Sequence, residues 1–248
     1  MLDVSDLSHD FGDLSVIDGL SLSVEPGRTL GVVGPSGCGK STLLEIICGL
    51  IEPTRGTVGV DGASDPGSRL EKCAFMPQRD CLLPWYSAID NAGLALSNQG
   101  KSKREARAAA HQLFDRFGLA GFEGSRPDEL SGGMRQRVAF LRTLLSDKPV
   151  LLLDEPFASL DAITRAELQE WLLPSLVEGG NTVVLVTHDV EEALYLADSV
   201  LVLSRRPGSE LARVEALPSS GAGRNEVVTD PDFLVRREEI MGLLRGNR

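Results

Sequence analysis

Eight residues constrain this chain more than any others. Gly34-Pro35-Ser36-Gly37-Cys38-Gly39-Lys40-Ser41 lies between the apolar run LGVV and the helix-forming continuation STLLEIICG, and it fits the pattern G-x-x-x-x-G-K-[ST]. Its glycines let the backbone turn with N–H groups facing inward, and the following helix adds positive end charge, so the loop is shaped to cradle a phosphate chain. Lys40 is placed to contact the terminal phosphates and Ser41 to coordinate Mg²⁺, so Gly34 through Ser41 and the adjoining Thr42 are candidate ligands. Such a loop needs a strand before it and a helix after it.

The rest of the sequence supplies that setting. Short β-rich runs stand at 3–7, 20–24, 29–33, 56–60 and 73–76, and further apolar runs at 150–156, 182–187 and 199–204. Such runs alternating with helical stretches predict an α/β fold with several buried parallel strands. From Pro84 to about Lys148 the texture changes to polar, alanine-containing helix, which predicts a smaller helical subdomain inserted at about 84–148. There Ala106, Ala109, Ala110, Leu113, Phe114 and Phe117 share one helical stripe, whose phenylalanines read as core. A further amphipathic helix is expected from about 162 to 173. Beyond residue 205, the run PSSGAGR at 218–224 punctuates the chain, and EVVTDPDFLVRREEIMGLLR reads as a short edge segment followed by a terminal helix.

Two more segments carry chemistry. VLLLDEP delivers Asp154 and Glu155 at the end of a buried strand. Asp154 suits Mg²⁺ or a water bound to it, and Glu155 suits a general base or an orienter of attacking water. Ser131 with the amides of Gly132 and Gly133 can form an anion-binding helix start. His188 follows the TVVLVT run, and Asp189 with Glu192 makes an acidic helix start behind it. A lone histidine is more often structural or solvated, and His9 and His111 keep that reading. Gln78, after CAFMP, is ambiguous from the residues alone.

Composition narrows the partners. With 25 Lys and Arg against 36 Asp and Glu, the net charge is −11, and no continuous basic patch offers itself to a nucleic acid. Cys38, Cys48, Cys73 and Cys81 lack metal-ligand spacing, so reduced thiols are expected. No stretch approaches the roughly 20 apolar residues of a membrane helix, and no signal segment opens the chain. Work at a membrane would require a partner.

Together these segments, with LSGGMRQ at 130–136 and VLLLDE at 150–155, resemble the ATP-binding subunits of ABC transporters over roughly residues 3–205. The resemblance implies a P-loop NTPase fold with a RecA-like core, an antiparallel β portion and the inserted helical subdomain. It makes residues 1–205 an ABC ATPase domain and 206–248 a C-terminal extension of it. It also implies an ATP-driven head-to-tail homodimer with two composite sites, in which Ser131 and Gly133 contact the ATP held by Lys40 of the other subunit. Within this pattern Gln78 is the Q-loop residue near Mg²⁺ or water, Ser159-Leu160-Asp161 the D-loop, His188 the γ-phosphate contact, and Phe11 the adenine-stacking residue. Leu82, Leu83, Pro84 and Trp85 fall near the groove that receives a permease helix, although Trp85 alone reads equally as a buried aromatic.

The family further implies a peripheral ATPase on the cytoplasmic face of the membrane. Its partners would be separate transmembrane permease subunits and, indirectly, an extracytoplasmic solute-binding protein. LLPW after Gln78 and the segment THDVEEALYLADSVLVLSRRPG resemble the nitrate, sulfonate or taurine importers, with importers of pyrimidine-like vitamin precursors as the alternative. A soluble ABC ATPase of DNA repair or translation is disfavoured by the absence of a coiled-coil insertion, a second ATPase module and a basic patch. A silent nucleotide-binding module is disfavoured by Lys40, Gln78, Glu155 and His188.

Overall fold

The structure is a computed structural model that describes residues 1–217 and 223–247. Most of the PSSGAGR run therefore lies outside the described residues. The chain opens with β1 (Leu2–Phe11) and β2 (Leu14–Val24), an antiparallel hairpin longer than the two short runs expected. It turns at Gly12, whose φ of 60° is the left-handed region glycine tolerates. Then follow β3 (Thr29–Val33), α1 (Lys40–Cys48), β4 (Arg55–Val60), α2 (Pro66–Lys72) and β5 (Cys73–Met76). Helices fill the stretch up to β6 (Val150–Asp154): α3 (Ala88–Ala92), α4 (Leu94–Asn98), α5 (Lys103–Phe114) and α6 (Gly132–Leu144). The chain closes with α7 (Ala162–Gly179), β7 (Thr182–Val186), α8 (Val190–Leu196), β8 (Ser199–Leu203), β9 (Glu210–Glu215), α9 (Arg224–Val228) and α10 (Pro231–Gly246).

Two sheets result. β2, β1 and β4 form a three-stranded antiparallel sheet, and the larger sheet runs β5-β6-β7-β3-β8-β9. Within it the strands from β5 to β8 are parallel, and β9 pairs antiparallel with β8 at the edge. Every residue of β3, β6 and β7 is buried, which is why these strands read as unbroken apolar runs. Their side chains alternate between two cores. Leu151, Leu153, Val183 and Leu185 join the helical side, whereas Leu152, Val184, Leu30 and Val32 join the core under α1 and the antiparallel sheet.

Two expectations near the C-terminus need correction. The edge strand is Glu210–Glu215, where only Val214 is buried, while the EVV residues belong to helix α9. The long helix does not stop at 173 but continues through Pro174 to Gly179. Proline removes one backbone donor, but Leu172 and Leu176 are buried in the core on either side of it and hold the helix in place.

Aromatic packing fastens the helical stretch to α7 and to the segment after β6. α5 buries Ala106, Ala110 and Phe114 behind a capping box made by Ser102 and Glu105. Phe117 lies beyond the end of that helix yet is also buried. Its ring meets Trp171 of α7 edge-on at 4.8 Å and Phe140 of α6 at 5.8 Å, and Phe140 meets Phe157 at 5.7 Å. Phe117→Ala is expected to cost about 3–5 kcal/mol, whereas Phe122→Ala, at a ring 41% exposed, should cost under about 1 kcal/mol. Urea unfolding of the two variants checks the contrast.

Candidate functional site

The loop from Gly34 to Gly39 links the end of the central strand β3 to α1. Gly39 is the N-cap of α1 with φ 101° and offers no side chain to cap it, and the first turn carries no acid. A Cβ at Gly39 would stand 2.9 Å from Ile17 Cγ1, so only glycine allows this approach. The helix thus presents unfilled N–H groups and uncompensated positive end charge, the conditions for holding an anion. Lys40 is buried, and its Nζ donates to the carbonyls of Gly34 at 2.8 Å and Pro35 at 3.0 Å, so its charge is directed into the loop. Cys38 is also buried; burial pushes its thiol up, against the pull of the Lys40 charge.

Asp154 ends β6 and is buried. Burial pushes its carboxyl above the ordinary range; the hydroxyl bond from Ser41 and the charge of Lys40 pull it down, and the charge of Glu155 pushes it up. A buried carboxylate bonded to a hydroxyl is a hard-oxygen pair that a divalent cation would relieve. Among the described residues no group of three His, Cys, Asp or Glu side chains could hold a metal. Two protein oxygens completed by phosphate oxygens and waters suit Mg²⁺.

Glu155 adopts φ 49°, a conformation costly for a residue with a side chain. Its backbone secures it on both sides. The N–H donates to Val186 O at 2.8 Å, and the carbonyl accepts from Gln136 Nε2 at 3.3 Å. Its Oε2 lies 3.2 Å from Gln78 Nε2, which donates to it, and 3.4 Å from His188 Nδ1. Gln78 follows β5, Glu155 follows β6 and His188 follows β7, so three candidates far apart in sequence meet at adjacent strand ends. Glu155 is mostly shielded, whereas the His188 ring is 61% exposed and open to a further contact.

Ser131 caps α6, its Oγ accepting from Met134 N at 3.2 Å, with exposed Gly132 and half-buried Gly133 in the first turn. Asp161 caps α7 through bonds from Ile163 N and Thr164 N, and the bonds from Thr164 hold its carboxyl below the usual range. No hydrogen bond or ion pair among the described residues joins Ser131, Gly132, Gly133 or Asp161 to residues 34–42 of the same chain. Phe11 stands at the hairpin tip, 51% exposed, with the His9 ring edge-on at 4.6 Å. His9 is buried and His111 exposed. Trp85 is 66% exposed, which removes its reading as a buried aromatic, but Leu82 is a core residue. Leu83 is half-buried, its backbone bonded both ways to Asn91.

Three residues of α6, two of them within LSGGMRQ, make contacts that the sequence did not assign. Gln136, in the first turns of α6, bridges Glu155 O and Ser159 Oγ. Arg135 pairs with Asp80 at 3.0 Å, and Arg142 donates to the carbonyls of Asp80 and Cys81. The seven-residue spacing of Arg135 and Arg142 puts them on one helical face, a signal that shows the face but not its target.

Behind His188 lies a second buried carboxyl. Glu192 is pushed up to about 7, chiefly by burial and then by the Asp189 charge, while bonds from Thr187 and Gln169 and the charge of Arg165 act against the rise. A raised carboxyl costs the fold nothing below its ordinary value, near 4.5, and its full penalty above about 7. Glu192→Gln is therefore expected to raise the melting temperature at pH 8 and to lose that advantage at pH 4. Thermal unfolding across this range measures it, and an equal gain at both pH values would contradict the assignment.

Comparison with known proteins identifies the family. The family model described as "ABC transporter" matches residues 17–158. The taurine import ATP-binding protein TauB of Yersinia pestis is 39% identical over 98% of this chain and 96% of its own length. The aliphatic sulfonates import ATP-binding protein SsuB 1 of Rhodococcus jostii is 48% identical, and the formylaminopyrimidine import ATP-binding protein ThiZ of Halalkalibacterium halodurans 43% identical, each over 82% of this chain and 79% of its own length. The dimeric post-hydrolysis structure of the ATP-binding cassette MJ0796 bound to ADP and Pi superposes with a TM-score of 0.80 at 28% identity, covering 88% of this chain and all of that one. With its phosphate loop, its Glu155 centre and this breadth of similarity, the chain belongs to the ABC transporter family and is one of its ATP-binding ATPases.

Proposed function

We propose that this ATPase cleaves Mg²⁺-bound ATP in a head-to-tail homodimer and thereby drives import of a small sulfonate of the taurine type through separate permease subunits. The observation that carries the reading is the meeting of Gln78, Glu155 and His188 beside the Lys40 loop. Gly34 through Thr42 bind the phosphates, and Lys40 turns from its two carbonyls to the terminal ones. Ser41 and Asp154, with Gln78 nearby, would hold Mg²⁺, which would supply positive charge to the phosphate oxygens. Water attacks the terminal phosphorus as the bond to the leaving ADP oxygen breaks, and Glu155 orients that water and takes its proton. His188 contacts the terminal phosphate, and Phe11 stacks on the adenine.

Ser131, Gly132, Gly133 and Asp161 act on the nucleotide of the opposite subunit. The exposure of Ser131, Gly132 and Asp161, and the absence among the described residues of any bond from these four to their own phosphate loop, support that division. Residues 1–205, with the helical subdomain at about 84–148, form the ATPase domain and 206–248 its extension. Leu83 and Trp85 offer apolar surface to a permease helix. No helix among the described residues is long and apolar enough to cross a membrane. Attachment to the cytoplasmic face would therefore come through the permease, with an extracytoplasmic solute-binding protein delivering cargo.

The sulfonate reading rests on the taurine and sulfonate relatives, and the formylaminopyrimidine relative supports the alternative cargo. One reconstitution with the cognate permease and binding protein tests both chemistry and cargo. Taurine should stimulate phosphate release, and Glu155→Gln should lower it by about 100-fold or more. Stimulation by formylaminopyrimidine alone would replace the cargo assignment, and undiminished turnover in Glu155→Gln would remove the role of Glu155.

A further inference from the structure

The C-terminal extension reaches back to the helix that follows His188. Asp189 caps α8, its Oδ1 accepting from Glu191 N at 2.9 Å and Glu192 N at 3.2 Å. The first turn of α8 therefore sets where His188 leaves the sheet. Glu191, in that turn, is held from outside by two arginines. Its Oε1 accepts from Arg224 Nη2 at 3.0 Å, and its Oε2 lies 3.6 Å from Arg237 Nη1. Arg224 belongs to α9 and Arg237 to α10.

Arg224 makes more contacts than a surface ion pair requires. Its side chain is 16% exposed, its Nε donates to Gln169 Oε1 at 2.9 Å, and its own backbone N–H donates to Glu170 Oε1 at 2.9 Å. Its guanidinium also sits 5.7 Å from the centre of the Tyr195 ring. Gln169 is fully buried and passes the connection on, donating to Glu192 Oε2 at 3.2 Å. One planar guanidinium thus joins α7, which Asp161 caps, to α8, which starts behind His188. A fork of fixed geometry transmits position in a way that a flexible ammonium does not.

We propose that Arg224 is a positioning residue: by joining Gln169 to Glu191 it fixes the first turn of α8 and so holds His188 against Glu155. The functional consequence rests on the role given to His188 above, whereas the positional claim stands on geometry alone. The extension is then a brace for the switch histidine, and Arg237 is its weaker second strut.

The chain contains only three histidines, so the ring Cε1–Hε1 resonances of His9, His111 and His188 can each be followed by NMR in the full-length protein. Arg224→Gln should move the His188 resonance and leave those of His9 and His111 in place. It should lower kcat for Mg²⁺-ATP hydrolysis about 5- to 20-fold with KM changed less than about twofold, because a displaced contact slows the reaction without touching the phosphate loop. Glu191→Gln should act in the same direction, and adding Arg224→Gln to it should cost little more. An unmoved His188 resonance, or fully additive losses in the double variant, would overturn the proposal. If Arg224→Gln does not fold, Glu191→Gln and Arg237→Gln carry the same resonance test. Undiminished turnover in His188→Ala would instead remove the role of His188, a separate failure that leaves the positional claim to the resonances.

Discussion

The register of three parallel strands carries the rest of the site. Val186 of β7 pairs with Val32 of β3 on one side and with Asp154 of β6 on the other, so the strand ends share one row. Past that row the ladder continues, Thr187 N donating to Val32 O and Glu155 N to Val186 O. Gly34, Glu155 and His188 all begin within two residues of it. A one-residue slip of β6 would exchange the faces of Asp154 and Glu155. Because β6 is apolar on both faces, it is the bonds at its end, Glu155 N to Val186 O and Gln136 Nε2 to Glu155 O, that keep the two carboxylates in place.

Around this row the structure maintains groups that are costly in isolation. Lys40 is buried among carbonyls, Asp154 is buried beside a second acid, and Glu155 is strained. Each has a constraint that keeps it there: the loop for Lys40, Ser41 for Asp154, and Gln136 with Val186 for Glu155. Gln136 lies on the helix capped by Ser131, and Arg135 and Arg142 tie the same helix to the chain after Gln78. Movement of α6 is thus felt at the Glu155 backbone and at the segment that follows Gln78, the pattern expected where closure completes a site.

Much of this was legible in the sequence because its signals are local. The phosphate loop is a contiguous pattern, and β3, β6 and β7 are short, largely apolar runs. What escaped depends on contacts between distant segments. The edge strand β9 buries one side chain and so shows no periodicity, whereas the β-branched Val227 and Val228 of the EVV segment lie in a short helix capped by Gly223. Leu82 and Trp85 are close in sequence with opposite fates, one in the core and one at the surface, which composition cannot distinguish. Gln136 and Arg224 act through partners 19 and 33 residues away, and nothing in their own neighbourhoods identifies those partners.

The central claim is that one chain holds only half of each working site, the phosphate loop and Glu155 being separate from Ser131 and Gly133. Steady-state phosphate release per chain, measured in Mg²⁺-ATP over a wide range of protein concentration, tests it most directly. The account predicts specific activity that rises with concentration and then saturates as dimers form. Specific activity that is non-zero and constant down to concentrations at which sedimentation shows only monomer, with and without ATP, would contradict it.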